Sequence, residues 1–310
     1  MTAFQTRRYY RRYDWVYPPT EPPVPPTSGN LIPVFWGGLP LNLGEDPETG
    51  LCAVVENIEG WLDSPPLNGN DAARAVADGS AWGPKTLGAR VVTVTGAATG
   101  PRELLAGLRD QLAALAASRD PAPLTVTNAG GAGRSMTADV RAGTDAFRHT
   151  WIGHTGFRWS VVLTAADPLL YEDSWQTAQL SNGSPGGTGR AYQRSYPWQY
   201  ASPNLPNSVQ LTNAGNWPAP VFALYTGDLS PSRLTDEQSG LILVDSLDAG
   251  MTISVDTSTL VAVADGGLSR ASYILPGSLP MTIPPGTTVQ WHLYSTGAGT
   301  VQLAWRSAWV

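Results

Sequence analysis

A chain of 310 residues is long enough for two domains, each with its own core. Only 14% of its residues are charged, against about 25% in a typical soluble domain, and a net charge of −6 argues against the basic footprint of a nucleic-acid binder. Cys52 is the single cysteine, which excludes an intrachain disulfide, and no apolar run reaches the roughly 18 residues of a membrane span.

The N-terminus lacks the basic, apolar, small-residue order of a secretory signal, so export by that route is not expected. Twelve tryptophans and eleven tyrosines accompany the shortage of charge, and Lys85 is the lone lysine among arginines. A genome rich in Arg, Ala, Gly and Pro codons is one explanation. The other is a surface largely covered by further chains, because Trp, Tyr and Arg are what interfaces favour.

Residues 1–30 form an arm in two parts. Arg7, Arg8, Arg11, Arg12 and Trp15 belong to a basic-aromatic cluster, and a proline-rich spacer follows that predicts extended polyproline II of about 3 Å per residue. The arm reads as a loose tail, as a segment that orders on a neighbouring protein, or as a contact to phosphates. Leu31–Trp36 and Leu51–Ile58 read as strands around a turn-rich piece at 44–50. A long connection, 59–88, carries Trp61, Leu62, Leu67 and Trp82. Loops of this length are usually functional or disordered, and these apolar residues predict an extended arm that packs on something, another copy being one candidate.

Arg90–Thr95 reads as a strand and leads into one helix, with Pro101 at its first position and Asp120-Pro121 at its end. Leu104, Leu108, Leu112 and Leu115, with Leu105 beside them, predict a stripe that packs on a sheet. Strands follow at 124–127, 135–140 and 157–165. Residues 172–206 read as a linker, from their Gly, Ser and Pro content. From Asn207 onward the chain is a succession of short strands, near 209–212, 219–226, 239–245, 250–256, 258–264, 270–275, 279–283, 287–295 and 299–307. Such a run without a helix predicts an antiparallel sandwich. Pro218 and Pro220 each lack a ladder donor, so the strand at 219–226 is expected to begin at an edge or bulge.

No nucleophile elbow, phosphate loop or His-Glu-x-x-His pattern occurs. His149 and His154 are five apart, which matches neither a helical pair nor a strand face, and a metal would need two further ligands. Asp245, Asp248 and Asp256 sit at strand ends, where Asp serves turns, and their spacing singles out no facing carboxylate pair. The sequence therefore predicts no enzyme, no cofactor and no metal.

Three stretches carry a resemblance: 88–115 (GARVVTVTGAATGPRELLAGLRDQLAAL), 159–173 (WSVVLTAADPLLYED), and the C-terminal segments 212–227, 239–257 and 275–294. In order and spacing the chain resembles the distal tail proteins of long, flexible-tailed bacteriophages, and its composition points to an actinobacterial host. The resemblance implies an all-β fold with one flanking helix. Residues 31–171 would be a tube-like, ring-forming β-sandwich or split barrel with 59–88 as its belt loop, 172–206 a linker, and 207–310 a galectin-like sandwich. It further implies a homo-hexamer at the virion tail tip, made in the host cytoplasm and not in a membrane. The tail tube protein would lie above it, and the tail-tip hub or tail-associated lysin below, with possible receptor-binding proteins around it. DNA would only pass through the channel, with part of the ring's negative charge expected on its wall. A second reading is a host-wall carbohydrate binder using Trp198, Trp217 and Trp309 as sugar platforms.

Overall fold

A computed structural model describes residues 32–69, 71–73, 78, 80–127, 134–181, 207–236, 240–264, 267–295 and 297–310. Arg7, Arg8, Arg11, Arg12, Trp15 and Trp198 lie outside them. Among the described residues the fold is all-β with one α-helix. Two compact units divide the chain: one ends at Ser174 but includes Ser307–Val310, and the other is built from Trp175–Arg306.

The first unit contains strands β1 (Val34–Trp36), β2 (Cys52–Glu59) and β3 (Arg90–Thr99), helix α1 (Arg102–Ala116), then β4 (Ala122–Val126), β5 (Met136–Ile152), β6 (Gly156–Ala165) and β7 (Leu170–Glu172). They form an antiparallel sheet in the order β1-β4-β5-β6-β3-β2. Alternation in Arg90–Thr99 sends Val92, Val94 and Ala98 into the core and Thr93 and Thr95 to the opposite face. α1 covers that core face with Leu105, Leu108 and Leu112, and burial of each contributes about 1.5–3 kcal/mol. Leu104 is exposed, contrary to the predicted stripe, because it sits about 100° around the helix from Leu105. Pro101 has an extended ψ of 139° and precedes the helix, which begins at Arg102.

β5 extends to Ile152, well past the predicted end at Val140, with a register shift between Ala142 and Phe147. The last strand, β17 (Ala308–Trp309), also belongs to this unit and pairs with β7. Trp309 is buried among the core residues of this unit, with the Arg134 guanidinium 5.2 Å from its ring centre.

The second unit is a sandwich. It contains β8 (Gln176–Ser181), β9 (Ser208–Asn213), β10 (Ala219–Thr226), β11 (Ser232–Thr235), β12 (Leu241–Val244), β13 (Thr252–Asp256), β14 (Val261–Ala264), β15 (Thr287–Tyr294) and β16 (Thr300–Trp305). One sheet runs β9-β15-β11-β12. The other runs β8-β16-β10-β13-β14, with short pairings by Leu268–Ser269 and Thr282–Ile283. Leu211, Val221, Tyr225, Leu234, Ile253, Trp291, Val301 and Leu303 are fully buried between them. The Trp305 Nε1–H donates to the Thr212 carbonyl at 2.9 Å, fastening a strand of one sheet to a strand of the other.

Several boundaries differ from the sequence reading. Residues 176–181 form β8 inside the predicted linker, because this stretch pairs with Thr300–Trp305. Residues 270–275, read as a strand, contain a 3₁₀ turn at Ala271–Tyr273. β10 is a central strand along 222–226, but it begins at an edge as its prolines require, since Ala219–Pro220 pair only with Thr282–Ile283. The turn before it is fixed by buried Asn213, whose Nδ2 donates to the Trp217 and Ile283 carbonyls and whose Oδ1 accepts the Gly215 N–H.

Candidate assembly surface

The connection 59–88 is rooted in the first unit and open beyond it. Gly60 has a φ of +79°, and a Cβ there would lie 2.1 Å from the Val91 carbonyl oxygen, so only glycine lets the chain leave β2 this close to β3. Trp61, next in line, is 3% exposed and packs in the core. Its predicted interface role is not open to it in this chain, since its surface is already covered. Opposite this root, Arg90 is 1% exposed. Its Nη1 donates to the carbonyls of Gly60 (3.1 Å), Trp61 (2.8 Å) and Asp63 (2.6 Å), and its Nε to that of Pro168 (2.8 Å). Burial lowers the guanidinium pKa and the Asp63 carboxylate opposes that shift. Nη2 is buried with no acceptor among the described residues.

Beyond the root, the chain folds on itself sparingly. Leu67–Asn68 pair with Thr86–Leu87, and Ala72–Ala73 with Ser80–Ala81. Lys85 bonds to Asp71 at 3.2 Å. Leu62, Leu67 and Trp82 are 59%, 62% and 88% exposed. Three large apolar side chains on one short projection make a surface suited to a partner.

Four strands, β5, β6, β3 and β2, form an antiparallel meander in that spatial order. Each of its two outer strands has an edge with no strand beside it over part of its length, although on β2 the Val55 N–H already donates to the Asn42 Oδ1 at 3.3 Å. Gly44–Glu45 pair only with Cys52–Ala53, so no strand runs along Val54–Glu59 among the described residues. β4 pairs with Met136–Val140 only, so the same holds for 141–152 on the side away from β6. The sheet face turned away from α1 carries Thr93, Thr95, Ser160, Val162 and Thr164. Its charges are mixed, with Glu56 and Glu59 against Arg148 and Arg158, and Arg158 lies 3.5 Å from Glu56.

Residues considered for chemistry are placed apart. His149 stands on β5 between Phe147 and Trp151, with ring centres 5.7 and 6.4 Å away, while His154 occupies the following turn. No group of side chains suited to a metal occurs among the described residues. Asp256 accepts bonds from Ser258 and Asp245 from the Ser246 N–H, both turn contacts. Of the proposed sugar platforms, Trp309 is only 9% exposed and Trp217 is partly exposed. The root residue Arg90 escaped the sequence reading. Its one signal was an arginine on the same alternation phase as Val92 and Val94.

No family model and no curated relative matches the sequence. Among solved structures, the chain is similar to the SPP1 Dit (gp 19.1) protein, described as a paradigm of the hub adsorption apparatus in phages that infect Gram-positive bacteria. The TM-score is 0.57 at 14% identity, covering 91% of this chain and all of that one. Two structures of a phage P2 baseplate in its activated conformation, with calcium and with strontium, match at 9% and 10% identity. Each has a TM-score of 0.46 and covers 88% of this chain and 97% of the other, too loose a likeness to bear on the fold. The chain thus has the fold of a phage distal tail protein. The likeness says nothing of an actinobacterial host.

Proposed function

We propose that this chain is a structural subunit of a phage tail tip, without a reaction of its own. Copies close head-to-tail into a hexameric ring around the DNA channel, between the tail tube protein and the tail-tip hub or tail-associated lysin. The observation that supports this reading most is the pair of open edges on the β5-β6-β3-β2 meander. Four alternating strands leave the two outer ones, β5 and β2, running in opposite directions, so in a ring of like-oriented copies the β5 edge of one can pair antiparallel with the β2 edge of the next. Such a contact uses two different surfaces, and repeated by a closing rotation it makes a ring. Closure removes the edges that would otherwise promote aggregation.

In that ring the face bearing α1 turns outward, where the helix has room, and the opposite face becomes the wall. The wall would be rich in Thr and Ser with both signs of charge, rather than the negative lining expected from net charge alone. A conduit of this kind offers DNA no continuous basic surface to hold it. Residues 59–88 act as the belt, laying Leu62, Leu67 and Trp82 on a neighbouring copy. Electron microscopy of the purified protein tests the reading. Six-fold rings support it, and a protein that stays monomeric alone and beside its tail neighbours overturns it.

A further inference from the structure

We infer that Arg90 is the positioning residue that aims the belt, by fixing the direction in which 59–88 leaves the sheet before any neighbour is met. This rests on the reading of 59–88 as the grip on a second copy of the chain. A single guanidinium holds three carbonyls of the root, those of Gly60, Trp61 and Asp63, and ties them to Pro168, just past the end of β6. The root is tightened from two other sides. Trp61 is anchored in the core, and Gly60 passes so near Val91 that its backbone has no room to swing. At the exit, the Gly88 N–H donates to the Pro66 carbonyl at 2.6 Å. Past these points, among the described residues, Leu67–Asn68 pair with Thr86–Leu87 and Ala72–Ala73 with Ser80–Ala81, while Leu67 and Trp82 stay exposed. The contacts that tie the connection to the sheet are thus those at its base. A base fixed in advance lowers the ordering cost of docking, which is how preorganisation raises affinity.

A buried arginine suits this task because its planar fork reaches several carbonyls at once, whereas a lysine ammonium is a point donor on a flexible stem. Its charge is set among backbone oxygens whose dipoles compensate for lost hydration, with Asp63 nearby.

The chain carries its own probe, because Lys85 is its only lysine and lies within the belt, so a lysine-specific protease cuts once. The experiment compares full-length wild type, R90K, R90M, G60A and a deletion of 64–87 by circular dichroism, cleavage at Lys85 and particle size. G60A disturbs the same root while leaving the arginine in place, and so covers the case in which R90M does not fold. The expected result is native β content in R90K and G60A, with Lys85 cleaved about tenfold faster as the root opens. Ring formation is expected to be at least about tenfold weaker, with R90K less affected than R90M. Wild-type cleavage in folded R90K and G60A overturns the inference, as does faster cleavage with undiminished rings. Rings that survive deletion of 64–87 overturn the belt reading itself, an outcome separate from the behaviour of the Arg90 variants.

Discussion

Trp159 lies across Gly96, its register partner on the adjacent strand, so closely that a Cβ on Gly96 would sit 2.5 Å from the indole and 2.6 Å from the Val54 carbonyl oxygen. The glycine is thus a seat for the ring, and the ring covers backbone that glycine leaves bare. Gly96→Ala is expected to displace the indole or β2 and to destabilise the first unit by about 1–3 kcal/mol. Thermal or urea unfolding checks this; an unchanged midpoint contradicts the seat. Gly107 makes the contrast. It lies within α1 and a Cβ there meets nothing within 4 Å, so Gly107→Ala should stabilise by about 0.5–1 kcal/mol.

The chain's end supports residues far from it in sequence. Trp309→Ala removes a large side chain from the core of the first unit, at an expected cost of about 3–5 kcal/mol. Deleting 307–310 should cost at least as much, since Ala308 and Trp309 also lose their pairing with Leu170 and Tyr171. Fluorescence-detected unfolding of both variants reads this, and near-native stability of the deletion would count against β17 as part of that unit.

Trp82 separates stability from assembly. At 88% exposure, Trp82→Ala should change stability by no more than about 0.5 kcal/mol. If the projection grips a neighbour, the same variant should shift the population from rings to free subunits. Paired melting curves and mass photometry give both readings, and unaltered rings would remove Trp82 from the interface.

Tyr225 is fully buried, and no acceptor for its hydroxyl exists among the described residues. Burial raises its pKa well above the ordinary value, near 10. The unfolded chain therefore releases this proton at lower pH than the folded one. The stability associated with the neutral phenol is fully present below about pH 10 and is lost as pH rises from there toward the folded value. Tyr225→Phe should be near neutral at pH 7, because no hydrogen bond is broken, and should flatten the alkaline fall. Urea titrations from pH 8 to 11 compare the slopes; an unaltered slope means another group controls it.

Much of the architecture could be read from local pattern. Alternation exposed β3, β6, β15 and β16, and leucine spacing exposed α1, because each of these elements decides its buried face within its own few residues. What the pattern missed depends on distant partners. β8 looks like linker until Thr300–Trp305 lies beside it, and the extension of β5 to Ile152 follows from its hairpin with β6 rather than from the composition of 141–152. The candidate surface divides in the same way. Leu62, Leu67 and Trp82 stood out as apolar residues in a loop, yet their neighbour Trp61 belongs to the core. Composition cannot distinguish two tryptophans twenty-one positions apart when one of them fills a hole made by other strands. The open edges of β2 and β5 were invisible, since an edge is defined by what fails to pair with it.

The return of Ser307–Val310 to the first unit bears on when a subunit becomes competent. Domains commonly fold in order of synthesis, the earliest first. Here the unit begun first lacks a strand pairing and a core tryptophan until Ser307–Val310 have been made, after the whole of Trp175–Arg306. A nascent chain therefore remains unfinished at the sheet on which its proposed contacts rest until the intervening unit has been made.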